Sequence, residues 1–217
     1  MKCIRLAVFA SGRGSNFQAI LKAIDEKRLS AEVGVLVSNN PDAGALQIAR
    51  MRSIPGVIIQ KKDFSSREGF VQSMMNTLEK HRADLILLAG YMKKIPPEIV
   101  NRYKNRILNI HPALLPSFGG QGMYGHHVHE AVLAEGCRVS GVTVHLVDEV
   151  YDRGPIVAQE SVPVLEGDTA DSLAARVLKT EHRLFAEAVQ LFAEERVEVV
   201  GRKVKIKGKQ QESRIKK

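Results

Sequence analysis

Short apolar runs that alternate with helical segments set the strongest limit on the fold of this 217-residue chain. Leu6–Ala10 is apolar throughout, and further short runs of β type lie at Val33–Val37, Gly56–Ile59 and Leu85–Ala89. Strands that are apolar at every position are expected where helices cover both faces of a parallel sheet. The pattern therefore predicts an α/β fold with a mostly parallel central sheet.

Helical spacing occupies the segments between these strands, and alternating β and α segments are typical of a doubly wound fold. The remaining elements of the first half are predicted at Phe17–Ile24, Gly44–Arg52 and Glu68–His81 (helices), just after Pro97 (a short helix) and at Arg106–Ile110 (a strand).

The second half of the chain changes character. Ser140–Val147 and Pro155–Val164 resemble strands joined by a short loop, which only antiparallel strands can use. A long helix over about Thr169–Glu195 follows, and Val197–Ile206, split by Gly201, predicts a final hairpin. No repeat or linker interrupts the chain, so we expect one domain whose sheet gains an antiparallel element in its C-terminal half.

The net charge of +8 is concentrated at the C-terminus. Residues 201–217 carry eight Lys or Arg and one Glu, whereas the other 200 residues are nearly balanced, with 24 basic and 23 acidic side chains. A solvated tail is the expected role, a phosphate-tracking arm is the alternative, and the balanced body predicts no nucleic-acid partner.

Two cysteines, Cys3 and Cys137, are too few for a disulfide framework and are consistent with a reducing compartment. No apolar run reaches the roughly 18 residues that a membrane span needs, and the N-terminal segment does not resemble a signal peptide. We therefore expect a cytoplasmic protein without a membrane partner.

A glycine-rich turn, Ser11-Gly12-Arg13-Gly14-Ser15-Asn16, lies between the first strand and the first helix. Glycines let a backbone approach a ligand, and a helix N-terminus offers unpaired N–H groups to an anion. The third glycine of the dinucleotide fingerprint is replaced by Phe17, and no acidic residue ends the second strand. The turn predicts a site for a single phosphate rather than for a dinucleotide, and a tight turn without a ligand is the alternative.

Asn109 and His111 are two residues apart at the end of a strand, so both side chains leave the same face of the sheet. Pro112 ends that strand at the carboxyl edge, where α/β sheets bind ligands. An amide donor beside an imidazole is what the oxyanion and the proton transfers of acyl transfer require. A structural Asn–His pair is the competing interpretation.

Two further histidine or carboxylate features are ambiguous. Asp152 precedes Gly154 and Pro155, so it is either a turn former or a carboxylate that orients an imidazole, while strand alternation makes His145 a packed histidine. The histidines after Gly120, at 126, 127 and 129, lack ligands at convincing metal spacing, so we expect a mobile loop that leads into a helix, and no metal. The absence of a Gly-x-Ser-x-Gly elbow favours direct transfer over an acyl-enzyme.

Together these motifs resemble the phosphoribosylglycinamide formyltransferases, folate-dependent enzymes of purine synthesis, over about residues 4–195. The resemblance rests on residues 11–16, on Leu88-Ala89-Gly90-Tyr91-Met92, on Leu108-Asn109-Ile110-His111-Pro112 with Leu114-Leu115-Pro116, and on His145 followed by Asp152-x-Gly154-Pro155. It implies a Rossmann-like formyltransferase fold and formyl transfer from 10-formyltetrahydrofolate to the amine of phosphoribosylglycinamide, without a metal.

The resemblance also implies roles for individual residues. His111 is expected to be the catalytic proton donor, Asn109 its oxyanion partner and Asp152 the carboxylate that raises the pKa of His111. The other implied contacts are phosphoribosylglycinamide at Gly14, Ser15, Asn16 and Glu181, and folate at Arg67, Met92, Lys93, Lys94, Ile95, Asn109, Asp148, Glu149, Val150, Tyr151 and Asp152. Lys93-Lys94 and Leu178 depart from the family pattern, and the role of the stretch at residues 122–125 is open.

The resemblance divides the chain into a formyltransferase domain at residues 1–200 and the end of the hairpin with a basic tail at residues 201–217. Within the domain we expect a phosphate-binding half at about residues 1–105 and a folate-binding and catalytic half at about residues 106–200. Small molecules are the expected partners, and the chain is expected to be a monomer or a homodimer.

Three other functions share part of this pattern. A formyltetrahydrofolate deformylase normally adds an N-terminal regulatory domain, and here the first strand is expected at about Ile4. A methionyl-tRNA formyltransferase needs a substantial C-terminal RNA-binding domain, and only about 20 residues follow the last long helix. A non-catalytic module that binds a phosphate ligand is the third alternative.

Overall fold

The computed structural model describes residues 3–208, and a seven-stranded sheet forms its centre. In chain order the elements are β1 Ile4–Phe9, α1 Ser15–Asp25, β2 Ala31–Ser38, α2 Gly44–Met51, β3 Gly56–Ile58, a 3₁₀ turn at Lys61–Asp63, α3 Arg67–Lys80, β4 Leu85–Leu88, α4 Pro97–Arg102, β5 Ile107–His111, α5 His126–Ala134, β6 Val139–Leu146, β7 Ile156–Pro163, α6 Ala170–Ala193, β8 Val197–Val200 and β9 Lys203–Ile206.

The strand order is β3-β2-β1-β4-β5-β6-β7. The pairs from β3 to β5 are parallel, and β6 and β7 join in antiparallel register. Chain order reverses between β1 and β4, so the turns that follow these two strands diverge and leave a crevice between them. The predicted α/β fold with an antiparallel element in the C-terminal half is therefore confirmed.

Strand residues alternate between two apolar layers, which explains why β1 is apolar at every position from Leu6 onwards. Leu6 and Val8 pack into the layer that contains α1 and α6, whereas Ala7 and Phe9 pack on the opposite face with Met74 of α3. Both faces of the sheet are thus covered by helices, as the apolar runs predict.

Helix α6 begins with a capping box at Thr169, the residue at which the sequence predicts its start. The Thr169 hydroxyl accepts a hydrogen bond from the Ser172 N–H, and the Ser172 hydroxyl accepts one from the Thr169 N–H. The helix ends at Ala193, two residues before the predicted end. Strands β8 and β9 form the predicted hairpin as a separate two-stranded sheet, and the part of the basic tail at residues 209–217 lies outside the described residues.

Within residues 3–208, none of the helices is both long enough and apolar enough to pass through a bilayer.

Gly14 caps α1 in a left-handed conformation, with φ of 83°, and packs closely against α2. A Cβ atom at this position would lie 2.8 Å from the Ala45 Cβ atom and 2.9 Å from the Ala45 Cα atom. The sequence pattern attributes this glycine to a ligand, but helix packing already requires it.

We predict that Gly14→Ala lowers the free energy of unfolding of the ligand-free protein by roughly 1–3 kcal/mol or more, because the residue is both strained and crowded. Gly12→Ala is the matched control: no atom lies within 4 Å of its added Cβ, and its φ is outside the left-handed region. The control should change stability by less than about 0.5 kcal/mol in urea denaturation. Equal stability of the two variants would contradict the packing argument.

Candidate active site

A cavity of about 900 Å³ opens at the carboxyl ends of β1, β4 and β5. Ligand sites of α/β sheets lie at this edge, beside the point where strand order reverses. The cavity is lined by residues 12–16, 88–95, 109–112 and 120–126, together with His129, His145, Val147, Asp148, Val150, Tyr151, Asp152, Asp171, Ala174, Ala175, Leu178 and Glu181.

Nearly all the site residues predicted from the sequence line this cavity. The exceptions are Arg67 and Glu149, which are not among its lining residues. Arg67 begins α3 and donates two hydrogen bonds to Glu98, of 2.5 and 2.8 Å. The hydrogen bonding and the negative charge of Glu98 raise the pKa of the exposed Arg67. Glu149 faces Asn101 at 3.5 Å. The structure therefore does not bring Arg67 to the cavity wall.

The loops after β1 and β4 are tied together beneath the cavity. The Ser11 hydroxyl accepts a hydrogen bond of 2.8 Å from the Met92 N–H and donates one to Asn39 Oδ1. The Ser11 N–H also donates to the Gly90 carbonyl at 3.0 Å. These bonds fix the segment that contains Met92 against the glycine-rich turn.

Asp152 is the centre of the cluster of polar groups at the end of β5. Its Oδ2 atom lies 3.8 Å from His111 Nδ1, and its Oδ1 atom lies 3.4 Å from His145 Nε2 and 3.4 Å from Asn109 Nδ2. The Gly120 N–H donates to Oδ2 at 2.9 Å. Asn109, His111 and Asp152, predicted together from distant parts of the sequence, are thus neighbours.

His111 is held by the backbone of the following loop. Its Nε2 atom lies 2.7 Å from the Phe118 carbonyl oxygen, which can only accept, so Nε2 carries a proton and donates it. The other ring nitrogen, Nδ1, is the one that faces Asp152. The loop therefore assigns Nδ1 as the atom available for proton transfer.

Opposing effects act on the pKa of His111. Burial lowers the pKa of His111, whereas the Asp152 charge and the Phe118 hydrogen bond raise it, and the net pKa lies below the ordinary value of 6.5. Asp152 acts in the predicted direction, but the side chain is 3% exposed and desolvation is the larger effect. Burial of His111 therefore opposes the imidazolium that the resemblance implies, whereas the Asp152 charge favours it.

Asp152 remains ionised in this environment. Burial raises the pKa of Asp152, but the neighbouring His145 side chain, the Gly120 N–H and the neighbouring His111 side chain lower it by more, and the net pKa is below its ordinary value. A carboxylate between two imidazoles can stabilise positive charge on either ring.

His145 was predicted to be a packed histidine, and it is 1% exposed within β6. It is also directly opposite Asn109 in the β5–β6 register, with its Nε2 atom 3.1 Å from Asn109 Nδ2. Neither this contact nor that of the Gly120 N–H was predicted, because both depend on how β6 and the loop after β5 meet β5.

On the other side of the cavity, Asn16 of α1 and Glu181 of α6 form a buried pair. The Asn16 amide donates to Glu181 Oε2 at 2.6 Å, and the Asn16 Oδ1 atom is buried without a partner among the described residues. Burial raises the pKa of Glu181, although the Asn16 hydrogen bond lowers it. This pair can bind a ligand that offers N–H donors.

His126 and His129 of α5 line the cavity, whereas His127 is not among its lining residues. Within residues 3–208 no group of three or more His, Cys, Asp or Glu side chains is arranged to hold a metal ion. His129 is buried with an unpartnered Nδ1 atom, and burial lowers the pKa of His129 to about 4. This ring is therefore neutral at pH 7.

Known proteins resemble the chain over nearly all of this structure. Its residues 4–189 match the family model described as formyl transferase. A chloroplastic phosphoribosylglycinamide formyltransferase of Vigna unguiculata is 48% identical over 89% of this chain, which spans only 62% of that relative's length. The Bacillus subtilis phosphoribosylglycinamide formyltransferase is 37% identical over 86% of this chain and 93% of its own.

Solved structures agree with the fold. The glycinamide ribonucleotide transformylase 1 of Symbiobacterium toebii is 40% identical, covers 95% of both chains and superposes with a TM-score of 0.89. A formyltetrahydrofolate deformylase of Pseudomonas syringae is 24% identical, with a TM-score of 0.85 over 95% of this chain and 67% of its own, and shares the fold alone. With its family match, its relatives and its polar cluster at the β5 edge, the chain belongs to the formyl transferase family.

Proposed function

We propose that this protein transfers the formyl group of 10-formyltetrahydrofolate to the amine of 5′-phosphoribosylglycinamide, giving the N-formyl product and tetrahydrofolate, as a step of purine biosynthesis. The observation that carries the proposal is a single cavity that joins a helix N-terminus, on one side, to Asn109, His111 and Asp152 on the other. An anion site and an acyl-transfer site in one cavity suit a phosphorylated amine. The names of the relatives support the same assignment.

The phosphate of the amine substrate is placed at the N-terminus of α1. Gly14, Ser15 and Asn16 begin that helix and line the cavity, and free N–H groups with the helix dipole attract an anion there. The glycinamide part then extends towards Glu181 and the unpartnered Asn16 Oδ1 atom, which accept hydrogen bonds from its N–H groups.

The folate is placed between the segment after β4 and the loop between β6 and β7. Met92 and Tyr151 are large, half-exposed side chains on these two walls, and Ile95 lies buried behind them. Lys94 lies over the Tyr151 ring at 5.4 Å, which holds a positive charge near the mouth of the cavity. Because Arg67 is engaged by Glu98, we assign the acidic end of the folate to Lys93 and Lys94.

A neutral His111 suits the first proton transfer of this reaction. The substrate amine must lose a proton before its nitrogen can attack the formyl carbon, and the Nδ1 lone pair of neutral His111 can accept that proton. The resulting imidazolium is stabilised by Asp152, whose Oδ2 atom faces the same nitrogen at 3.8 Å. The imidazolium is thus formed during the reaction.

Attack forms the new C–N bond and places negative charge on the formyl oxygen. The His111 Nδ1–H and an Asn109 N–H donate to that oxygen, and one such donor contributes roughly 10²–10³ in rate. The bond to the folate nitrogen then breaks with the electron pair moving to that nitrogen. The proton it needs comes from the attacking nitrogen, which still carries a positive charge after attack, through water or Asp152. His111 then releases to water the proton that it took from the substrate ammonium group.

Hydrolysis of the formyl donor is the second candidate function, because the same three residues could activate water. The apposed phosphate site and the Asn16–Glu181 pair favour an amine substrate. A non-catalytic phosphate-binding module would not need the partly buried cluster of Asn109, His111 and Asp152.

In this proposal the phosphate site lies in the half at residues 1–105, and the catalytic residues and one wall of the folate site lie in the half at residues 106–200. The segment after β4 and Glu181 add contacts to folate and to the amine substrate across this division. We keep the cytoplasm as the proposed compartment, on the two free thiols. The partners are small molecules, and a monomer or a homodimer is compatible with the site.

We predict that purified protein forms N-formyl-phosphoribosylglycinamide from the two substrates, with release of formate to water at least about 100-fold slower. Tetrahydrofolate release followed spectroscopically, with the formyl group traced by mass spectrometry, measures both products. Formate as the main product would contradict the proposal and indicate a deformylase. The absence of any turnover of the donor would indicate a non-catalytic binding module.

Gly12→Ala is expected to raise the KM for phosphoribosylglycinamide by roughly tenfold, about 1.4 kcal/mol, with little change in the KM for the folate. Gly12 lines the cavity beside the helix N-terminus, and its added methyl group meets no protein atom within 4 Å, so the loss would come from the ligand. An unchanged KM for phosphoribosylglycinamide would contradict the assignment of its phosphate to this position.

Asp152→Asn is expected to lower kcat by about 100-fold or more while changing either KM little, because the carboxylate stabilises charge that exists only during the reaction. Asparagine tolerates the left-handed conformation of this residue, which has φ of 52°. In a His111→Ala background the same change should cost far less, since the two groups act together. If steady-state kinetics show that Asp152→Asn lowers kcat by the same factor in the wild-type and His111→Ala backgrounds, Asp152 is only a turn former.

A further inference from the structure

His145 lies opposite Asn109 in the sheet, and its two ring nitrogens face different partners. Nδ1 lies 2.9 Å from the Leu146 carbonyl oxygen, while Nε2 lies 3.1 Å from Asn109 Nδ2 and 3.4 Å from Asp152 Oδ1. The side chain is 1% exposed, so the ring has no freedom to exchange these partners with solvent.

The carbonyl of Leu146 fixes the tautomer of the neutral ring. A carbonyl oxygen only accepts, so the proton is on Nδ1, and Nε2 carries a lone pair. That lone pair accepts a hydrogen bond from the Asn109 amide at 3.1 Å. Asp152 Oδ1 lies 3.4 Å from the same nitrogen, and the Asn109 NH₂ group, which contacts both atoms, offsets the repulsion between the lone pair and the carboxylate. A doubly protonated ring would instead present an N–H to the Asn109 N–H groups.

The lone pair determines which way the Asn109 amide is turned. With Nδ2 on this side, its two hydrogens face two acceptors, His145 Nε2 and Asp152 Oδ1. In the flipped amide the Asn109 oxygen would face a lone pair and a carboxylate, and both contacts would be repulsive. The observed orientation is therefore enforced.

We propose that His145 is a positioning residue that holds the Asn109 amide with its N–H groups at the reacting centre. The N–H that donates to His145, at 3.1 Å, holds the amide in place, and the other N–H, which makes only the longer 3.4 Å contact with Asp152, is the one that the formyl oxygen accepts as charge develops. This inference depends on the proposed function in one respect, namely that Asn109 donates to the formyl oxygen.

The tautomer of His145 is testable in the unmodified chain without any activity. In ¹⁵N NMR of the full-length protein at neutral pH, His145 should show a protonated Nδ1 and an unprotonated Nε2, whereas His111 should show the opposite tautomer. A proton on Nε2 of His145 in the neutral ring would overturn the proposal, whatever reaction the protein performs.

Kinetics separate positioning from packing. His145→Phe fills the ring volume without an acceptor and should lower kcat by at least about tenfold, with both KM values within twofold of wild type. His145→Gln retains an amide oxygen that can accept from Asn109 and should recover most of the loss. In an Asn109→Ala background, His145→Phe should change kcat by less than about twofold.

Thr143→Val provides a matched control on the same strand and face. Thr143 is buried two residues earlier, accepts from the Leu115 N–H and donates to the Ala113 carbonyl, so its role is structural. Its effect on kcat, whatever its size, should multiply with that of Asn109→Ala.

Three results would contradict the positioning role of His145: wild-type kcat in the Phe variant, an equal loss in the Gln variant, or effects of His145→Phe and Asn109→Ala that simply multiply. If the Phe variant does not fold by circular dichroism, the Gln variant and the tautomer decide. Failure of the formyl-transfer assay in the wild-type protein is a separate result that concerns the proposed function alone.

Discussion

A buried carboxylate between two buried imidazoles is the interaction on which the rest of the site depends. Asp152 keeps its charge because the Gly120 N–H and the neighbouring rings compensate for burial. The histidines on either side are each fixed by a backbone carbonyl, that of Phe118 for His111 and that of Leu146 for His145. Each ring therefore turns its other nitrogen towards Asp152, Nδ1 of His111 and Nε2 of His145.

The sheet positions this cluster through its change of direction at β5. Parallel pairing with β4 brings the end of β5 to the crevice, and antiparallel pairing with β6 places His145 opposite Asn109. The β6–β7 loop then returns Asp152 to the same edge. The crevice between the diverging turns of β1 and β4 adds the α1 N-terminus, so this helix end and the polar cluster at the end of β5 share one cavity.

The sequence was sufficient for the features that depend on local pattern. Apolar strands predicted the covered parallel sheet, the short connection predicted the antiparallel pair, and the spacing of Asn109 and His111 predicted their common face. The sequence alone could not predict features that depend on a balance of opposing effects or on contacts between distant elements. The pKa of His111 falls because burial exceeds the attraction of Asp152, and a motif carries no measure of burial. Likewise Gly14 is required by Ala45, a contact between two helices that no motif describes.

The central claim is that His111 is neutral in the free protein and becomes charged only when it takes a proton from the substrate amine. Titration of His111 by NMR in the ligand-free wild-type chain tests this claim most directly. The account predicts a pKa below the ordinary value of 6.5, because desolvation outweighs the Asp152 charge. A pKa well above 7 would mean that the imidazolium exists before substrate binds and would contradict the account.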